Sequence, residues 1–288
     1  MTIDPSFLDE LDRFDSSMKR ETTSQYQGEQ ESPDVGEGLT FSDYRRYAPG
    51  DDTRLIDWKL YARTEEYFIK QYEEERSLTV HVLVDSSSSM DFGSGEEHKF
   101  EYAAKLGLGF CYLTVEENND FRFSTFGDDY ERLDTGRSNR GELLQLIELL
   151  NEQELGGRTD FRNALESYTA TISSRSLVVV LSDFLGDLDE VEEGLASLSQ
   201  NELVTAQVLS PDELDPDAVG DTVFEEPETE QELRTYFGGR LEQQYRQRLE
   251  AFTDDVAARA SDLRATHALV DTGEEFFDSF TSLWVGGY

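Results

Sequence analysis

Leu78-Thr79-Val80-His81-Val82-Leu83-Val84-Asp85-Ser86-Ser87-Ser88-Ser89-Met90 is the stretch that decides how this chain is read. The apolar, β-branched run Leu78–Val84 predicts a buried strand. It stops at Asp85, and Ser87 and Ser89 follow at two-residue steps. The three side chains are expected on a loop at the C-terminal end of the strand, where open α/β sheets place their ligands. One carboxylate with two hydroxyls suits a hard, oxygen-liganded divalent cation.

Downstream, strand-like and helix-like segments alternate. Lys99–Glu116 predicts a helix, and Asn119–Phe126 a strand followed by a polar hairpin to Asp134. Asn139–Asn151 and Asp160–Ile172 predict helices, and Leu177-Val178-Val179-Val180-Leu181 a second fully buried strand of the parallel-sheet kind. A helix over Leu188–Leu198 and a strand over Leu203–Leu209 continue the alternation, which implies βαβ units and right-handed crossovers. Pro211–Gln231 is acidic and turn-rich, with a strand expected near Thr222–Phe224. Leu241, Tyr245, Leu249, Phe252 and Val256 mark an amphipathic helix. Ala268–Val270 is expected as an edge strand and Phe276–Trp284 as a short closing helix.

Upstream, Phe7, Leu8, Leu11 and Phe14 have helical spacing within Ile3–Arg20, and Pro5 suits a first turn. Glu21–Gly38 reads as a polar linker. Thr40–Glu75 is dense in aromatic residues, with a turn at Pro49-Gly50-Asp51-Asp52 and a short strand over Tyr67–Tyr72. The expected organisation is therefore an N-terminal helix, linker and aromatic-rich arm over 1–75, then an α/β domain over 76–288.

Composition narrows the function. With 63 acidic against 25 basic residues, the net charge is −38. That argues against nucleic-acid binding, which needs a basic face, and disfavours anionic membranes. Recurring apolar segments argue for a folded protein adapted to concentrated salt, in which the Debye length falls to ~3 Å at about 1 M and self-repulsion is screened. The single cysteine, Cys111, permits no internal disulfide, which fits a reducing cytoplasm, and lies within an apolar helix as a small hydrophobe. No segment is long and apolar enough to span a membrane, and the acidic start lacks a signal-peptide pattern.

Two further segments are placed by this topology near Asp85. Gly156-Gly157-Arg158-Thr159-Asp160 opens a helix, and Thr159 either caps it or offers its hydroxyl to a metal. Ser182-Asp183 follows the buried Leu177–Leu181 run. The candidate metal set is Asp85, Ser87, Ser89, Thr159 and Asp183. The competing structural account has Asp85 and the serines satisfying loop amides.

Asp85-Ser86-Ser87-Ser88-Ser89, then Thr159 after Gly-Gly, then Asp183 after an apolar strand, resembles the metal-ion-dependent adhesion site of von Willebrand factor type A domains. Phe41-Ser42-Asp43-Tyr44-Arg45-Arg46-Tyr47-Ala48-Pro49-Gly50-Asp51-Asp52-Thr53-Arg54-Leu55-Ile56-Asp57-Trp58-Lys59 resembles the hallmark of the domain-of-unknown-function-58 family, which joins such a motif to a type A domain. Ala62-Arg63 and Ser87-Ser88-Ser89-Met90 fit it too. The resemblance implies a Rossmann-like, mostly parallel sheet flanked by helices, carrying an N-terminal arm. It implies Mg²⁺, with Mn²⁺ or Ca²⁺ as alternatives, held directly by Ser87, Ser89 and Thr159 and mostly through water by Asp85 and Asp183. An open position would take a partner's Glu or Asp, making the site a docking point and not a catalyst. The resemblance also points to MoxR-type AAA+ ATPases as partners in chaperone-like assembly or maturation. Many relatives carry membrane-spanning segments at the N-terminus, and none is expected within this sequence, which puts membrane attachment in doubt.

The remaining candidates are weaker. Asp43–Lys70 holds six basic and six acidic residues, so the arm is locally neutral. It reads as a salt-bridged aromatic clamp on the type A domain, or as a docking surface anchored by Trp58 and Tyr61. His81, His98 and His267 are too far apart in sequence to suggest a zinc site. Two other functions compete: a structural scaffold with a vestigial metal site, and a Mg²⁺-dependent hydrolase. The hydrolase would need a base or nucleophile beside the metal, which no residue clearly offers, and the chain lacks a P-loop.

Overall fold

The computed structural model describes residues 2–25, 39–48, 51, 56–64, 66–74, 78–216, 220–226, 231–237 and 239–287. Helix α1, Phe7–Gln25, runs five residues past the expected Arg20 end, and the rest of the expected linker, 26–38, lies outside the described residues. Ile3, Phe7, Leu8 and Leu11 are buried in the main apolar core. Ile3 N–H donates to Asn151 Oδ1 at 2.7 Å, Asn151 Nδ2 donates to Ile3 O at 3.0 Å, and Phe14 stacks on Phe277 with centroids 4.9 Å apart.

The chain therefore divides differently from the expected 1–75 and 76–288. One compact unit joins Met1–Glu21 to Leu78–Tyr288, and the other is Thr22–Ser77. The apolar stripe of α1 has to be buried somewhere. Its destination depends on tertiary packing, so sequence position alone groups it with the linker and arm that follow it.

The second unit pairs strand β1, Leu39–Arg46, antiparallel with β2, Phe68–Glu74, around helix α2, Trp58–Thr64. Strand β2 starts one residue after the expected Tyr67–Tyr72 strand and ends two residues beyond it, and β1 is an addition to the expected elements. A bulge falls between Phe41 and Asp43, and Ile56 bridges Ile69. Asp57 caps α2, its Oδ1 accepting from Lys59 N–H at 2.8 Å. Tyr61 and Tyr67 stack at 4.5 Å, with Trp58 edge-on to both. Of the expected turn at Pro49–Asp52, only Asp51 is described.

In the first unit, β3 (Thr79–Asp85), α3 (Lys99–Glu116), β4 (Asp120–Phe126), β5 (Tyr130–Arg132), α4 (Arg140–Glu152), α5 (Phe161–Thr169), β6 (Leu177–Ser182), α6 (Leu188–Ser197) and β7 (Glu202–Leu209) reproduce the expected alternation. The chain closes with α7 (Pro211–Leu214), β8 (Gly220–Glu226), β9 (Gln231–Phe237), α8 (Gly239–Asp262), β10 (Thr266–Asp271) and α9 (Phe276–Gly287). Strand β9 was not expected. It pairs antiparallel with β8 in a hairpin outside the main sheet.

The six-stranded sheet has the order β10-β7-β6-β3-β4-β5, parallel throughout except for β5. Numbering those strands along the chain gives 3-2-1-4-5-6, a doubly wound sheet whose order reverses between β3 and β6. Strand β3 lies centrally and alternates its two faces. Val80, Val82 and Val84 enter the core shared with α1, α3, α4 and α9, while Leu83 enters the second core with α5, α6 and α8. Gly107 of α3 allows the closest approach to the sheet, since a Cβ there would meet Val82 Cγ1 at 2.7 Å and the Phe123 ring at 2.9 Å.

Candidate metal centre

Strands β3 and β6 deliver Asp85 and Asp183 to the crevice where the strand order reverses. Asp85 is 1 % exposed and closes β3. Its Oδ1 accepts from Ser87 N–H at 2.9 Å and from Thr159 Oγ1 at 2.8 Å, and its Oδ2 accepts from Ser182 Oγ at 2.6 Å. Burial pushes the Asp85 carboxyl up to about 6, and the neighbouring charge of Asp183 pushes the same way. The bonds from Ser182, Ser87 and Thr159 oppose both.

Ser87 and Ser89 are both buried, and their hydroxyl oxygens lie 3.0 Å apart. A one-turn 3-10 helix over Ser88–Met90 follows the loop. The loop is tied to the segment before α5, with Ser88 N–H donating to Gly157 O at 3.1 Å and Gly156 N–H to Ser86 O at 3.1 Å. Thr159 does not cap α5. Asp160 does, accepting from Asn163 N–H at 2.9 Å, which leaves the Thr159 hydroxyl to reach Asp85.

Asp183 stands at the neighbouring strand end, but its carboxylate has other partners. Lys99 Nζ donates to Asp183 Oδ2 at 2.6 Å and to Glu213 Oε1 at 2.8 Å, with the Lys99 and Asp183 side chains wholly buried. Asp183 Oδ1 accepts from Leu185 N–H at 3.0 Å, and the Asp183 carbonyl accepts from Gln207 Nε2 at 3.0 Å. Burial would push the Lys99 ammonium down, but the charges of Asp183 and Glu213 outweigh it and hold it above the ordinary lysine value. Phe184, next in the chain, is buried with φ 55°, a left-handed backbone held by Phe184 N–H donating to Ser182 Oγ at 2.8 Å.

The sequence had not singled out Lys99, Glu213 or Gln207, and Ser182 was noted only as the neighbour of Asp183. One signal was available: Lys99 opens a long apolar helix in a chain poor in basic residues. Nothing local to Glu213 or Gln207 marks them, because they arrive with β7 and α7.

The donor chemistry of Asp85, Ser87, Ser89 and Thr159 fits a hard divalent cation, being oxygen throughout. Among the described residues no group of three or more His, Cys, Asp and Glu side chains is placed to hold a metal, so an ion here would depend on hydroxyls. Asp183 fits less well, because Lys99 already engages it. Each histidine has its own partner: His81 Nδ1 lies 2.8 Å from Tyr168 Oη, His98 Nε2 lies 3.1 Å from Asp91 Oδ1, and His267 Nδ1 lies 2.9 Å from Thr205 Oγ1. Cys111 is buried, and burial together with the charge of Asp134 holds its thiol well above the ordinary value.

A sheet of this order, with an antiparallel third strand and an Asp-x-Ser-x-Ser loop at the crest of its first, defines a von Willebrand factor A-like domain. The chain belongs to the family described as protein of unknown function DUF58, whose model matches residues 43–258. It is 27 % identical over 229 residues to the uncharacterized protein Rv1480 of Mycobacterium tuberculosis, covering 78 % of this chain and 72 % of that one. Among solved structures, it is similar to an aerotolerance-related membrane protein from Bacteroides fragilis at 15 % identity and a TM-score of 0.47, covering 73 % of this chain and 98 % of the other. It is also similar to the SpRpn10 VWA domain at 13 % identity and a TM-score of 0.44, covering 71 % and 93 %. No helix among the described residues is long and apolar enough to cross a membrane.

Proposed function

We propose that this chain is a non-enzymatic, Mg²⁺-dependent protein–protein interaction module. Ser87, Ser89 and Thr159 would hold the ion, with Asp85 beside it, and a partner's Glu or Asp would complete its coordination. Mn²⁺ or Ca²⁺ could take the same oxygen donors. One observation carries the reading: the Thr159 hydroxyl, brought from a distant loop, meets Asp85 at 2.8 Å beside the paired Ser87 and Ser89 hydroxyls. Family resemblance suggests a MoxR-type AAA+ ATPase as the partner, in cytoplasmic chaperone-like assembly or maturation.

A second reading has its own support. Asp85 already accepts from Ser87, Thr159 and Ser182, so the cluster could serve only to lock three loops together, as a scaffold with a vestigial site. Calorimetric titration with Mg²⁺ in concentrated salt separates the two. Saturable binding in the wild type, lost in Asp85→Ala and Thr159→Ala, supports the docking site. Chelator-sensitive co-purification with the AAA+ partner would then support that partnership. Silence in both assays, with all three proteins folded, leaves the loop lock.

A further inference from the structure

We infer that Lys99 is the resident counter-cation of Asp183, and that it limits the metal-holding set to Asp85, Ser87, Ser89 and Thr159. This rests on the metal-docking function proposed above. The Lys99 ammonium sits 2.6 Å from Asp183 Oδ2 and 2.8 Å from Glu213 Oε1, and its side chain is fully buried. The other Asp183 oxygen accepts a backbone N–H from Leu185. Both carboxylate oxygens are therefore engaged within the chain, as those of Asp85 are, but Asp85 meets uncharged donors whereas Asp183 meets a buried ammonium.

The pair is also fixed at both ends. Lys99 is the first residue of α3, and its own N–H donates to Phe92 O at 2.9 Å. Asp183 is anchored by Leu185 N–H and, through its carbonyl, by Gln207. Withdrawing Lys99 would strand a buried carboxylate, which is strongly unfavourable. A dication coordinated by Asp183 would also face the ammonium at close range.

The consequence is functional. Ligand charge sets how tightly a hard cation is held. With Asp183 neutralised, an ion in this site meets one carboxylate and three hydroxyls and keeps most of its positive charge. It is held less tightly at rest and attracts an incoming carboxylate more strongly. Lys99 thus sets the balance between resting metal affinity and capture of an acidic partner group.

The test is Mg²⁺ titration of the full chain by calorimetry in concentrated salt, with folding checked by circular dichroism. The variants are Lys99→Met and the double variant Lys99→Met/Asp183→Asn, which removes the two wholly buried charges together and leaves Glu213, which is 17 % exposed and also accepts from Ser210, so it stays foldable if the single variant does not. The expected result is a double variant within about threefold of wild-type affinity, and a Lys99→Met variant at least about tenfold tighter because Asp183 is released to the ion. A double variant weakened about tenfold or more makes Asp183 a ligand and overturns the inference, while leaving the docking site standing. Binding by Lys99→Met but not by wild type supports Lys99 as the occupant of the Asp183 position and overturns the resting Mg²⁺ site. Binding by none of the three overturns both.

Discussion

Asp85→Asn removes a charge from a position whose burial resists it, and should stabilise the metal-free protein at neutral pH. The folded-state pKa, about 6, lies above the ordinary aspartate value of 3.8. The folded chain therefore binds more protons than the unfolded chain between those values. The stabilisation from a protonated Asp85 is complete below about pH 3.8 and is lost as the pH rises through about 6. A shift of about two units corresponds to about 3 kcal/mol of penalty on the charged form at pH 7.5. Asparagine keeps the size and one accepting oxygen, but its amide NH₂ replaces an oxygen that accepts a hydrogen bond, returning about 1 kcal/mol or more. The expected net gain is about 1–2 kcal/mol. Urea unfolding with chelator present, at about pH 7.5 and about pH 4, measures it. The variant should be the more stable at the higher pH, and the gain should vanish at the lower. A variant less stable than wild type at about pH 7.5, or a gain that persists at about pH 4, would show that Asp85 carries no such penalty. Added Mg²⁺ should raise the wild-type midpoint and leave the variant unchanged, because binding to the folded state alone shifts the unfolding equilibrium.

Other expectations follow from the packing. Leu8→Ala should destabilise the sheet unit by about 2–4 kcal/mol, because Leu8 is fully buried in its main core; a midpoint shift near zero would detach α1 from that core. Gly194→Ala should lower the melting temperature sharply. A Cβ there would lie 2.5 Å from Phe161 O and 2.9 Å from Phe161 C, backbone atoms that cannot rotate away, so a melting temperature within a degree or so of wild type would rule out this α5–α6 approach. His81 is buried, and desolvation, with Arg122 adding to it, lowers its pKa from 6.5 to about 4. The unfolded state then binds more protons between those values, so the contribution of a neutral His81 is present above about pH 6.5 and lost as the pH falls towards about 4. Wild type minus His81→Asn should change by up to about 3 kcal/mol across that window, and a pH-independent difference would mean that His81 titrates normally.

Much of the fold was legible because its physics is local. Leu177–Leu181 is fully apolar, and Leu78–Val84 is apolar but for Thr79 and His81, so neither has a solvent face and both read as central strands. The alternation with amphipathic helices then required parallel crossovers. The charge, the lone cysteine and the oxygen-only candidate site were equally readable. Asp85, Ser87 and Ser89 are neighbours in sequence, and their loop follows from the strand that ends at Asp85.

The rest depended on contacts between distant segments. The sequence could not assign α1 to the sheet unit, because an apolar stripe shows only that a face is buried and not what covers it. It left Thr159 between capping and ligation; in the structure Asp160 caps α5 and the Thr159 hydroxyl donates to Asp85. The Lys99–Asp183–Glu213 network joins residues 84 and 114 positions apart, and no local pattern marks their meeting. Residue types and their order determined which oxygen donors reach the crest of the sheet. Only the tertiary structure decided which of them are already engaged, because a buried charge takes the partner that folding brings within about 3 Å.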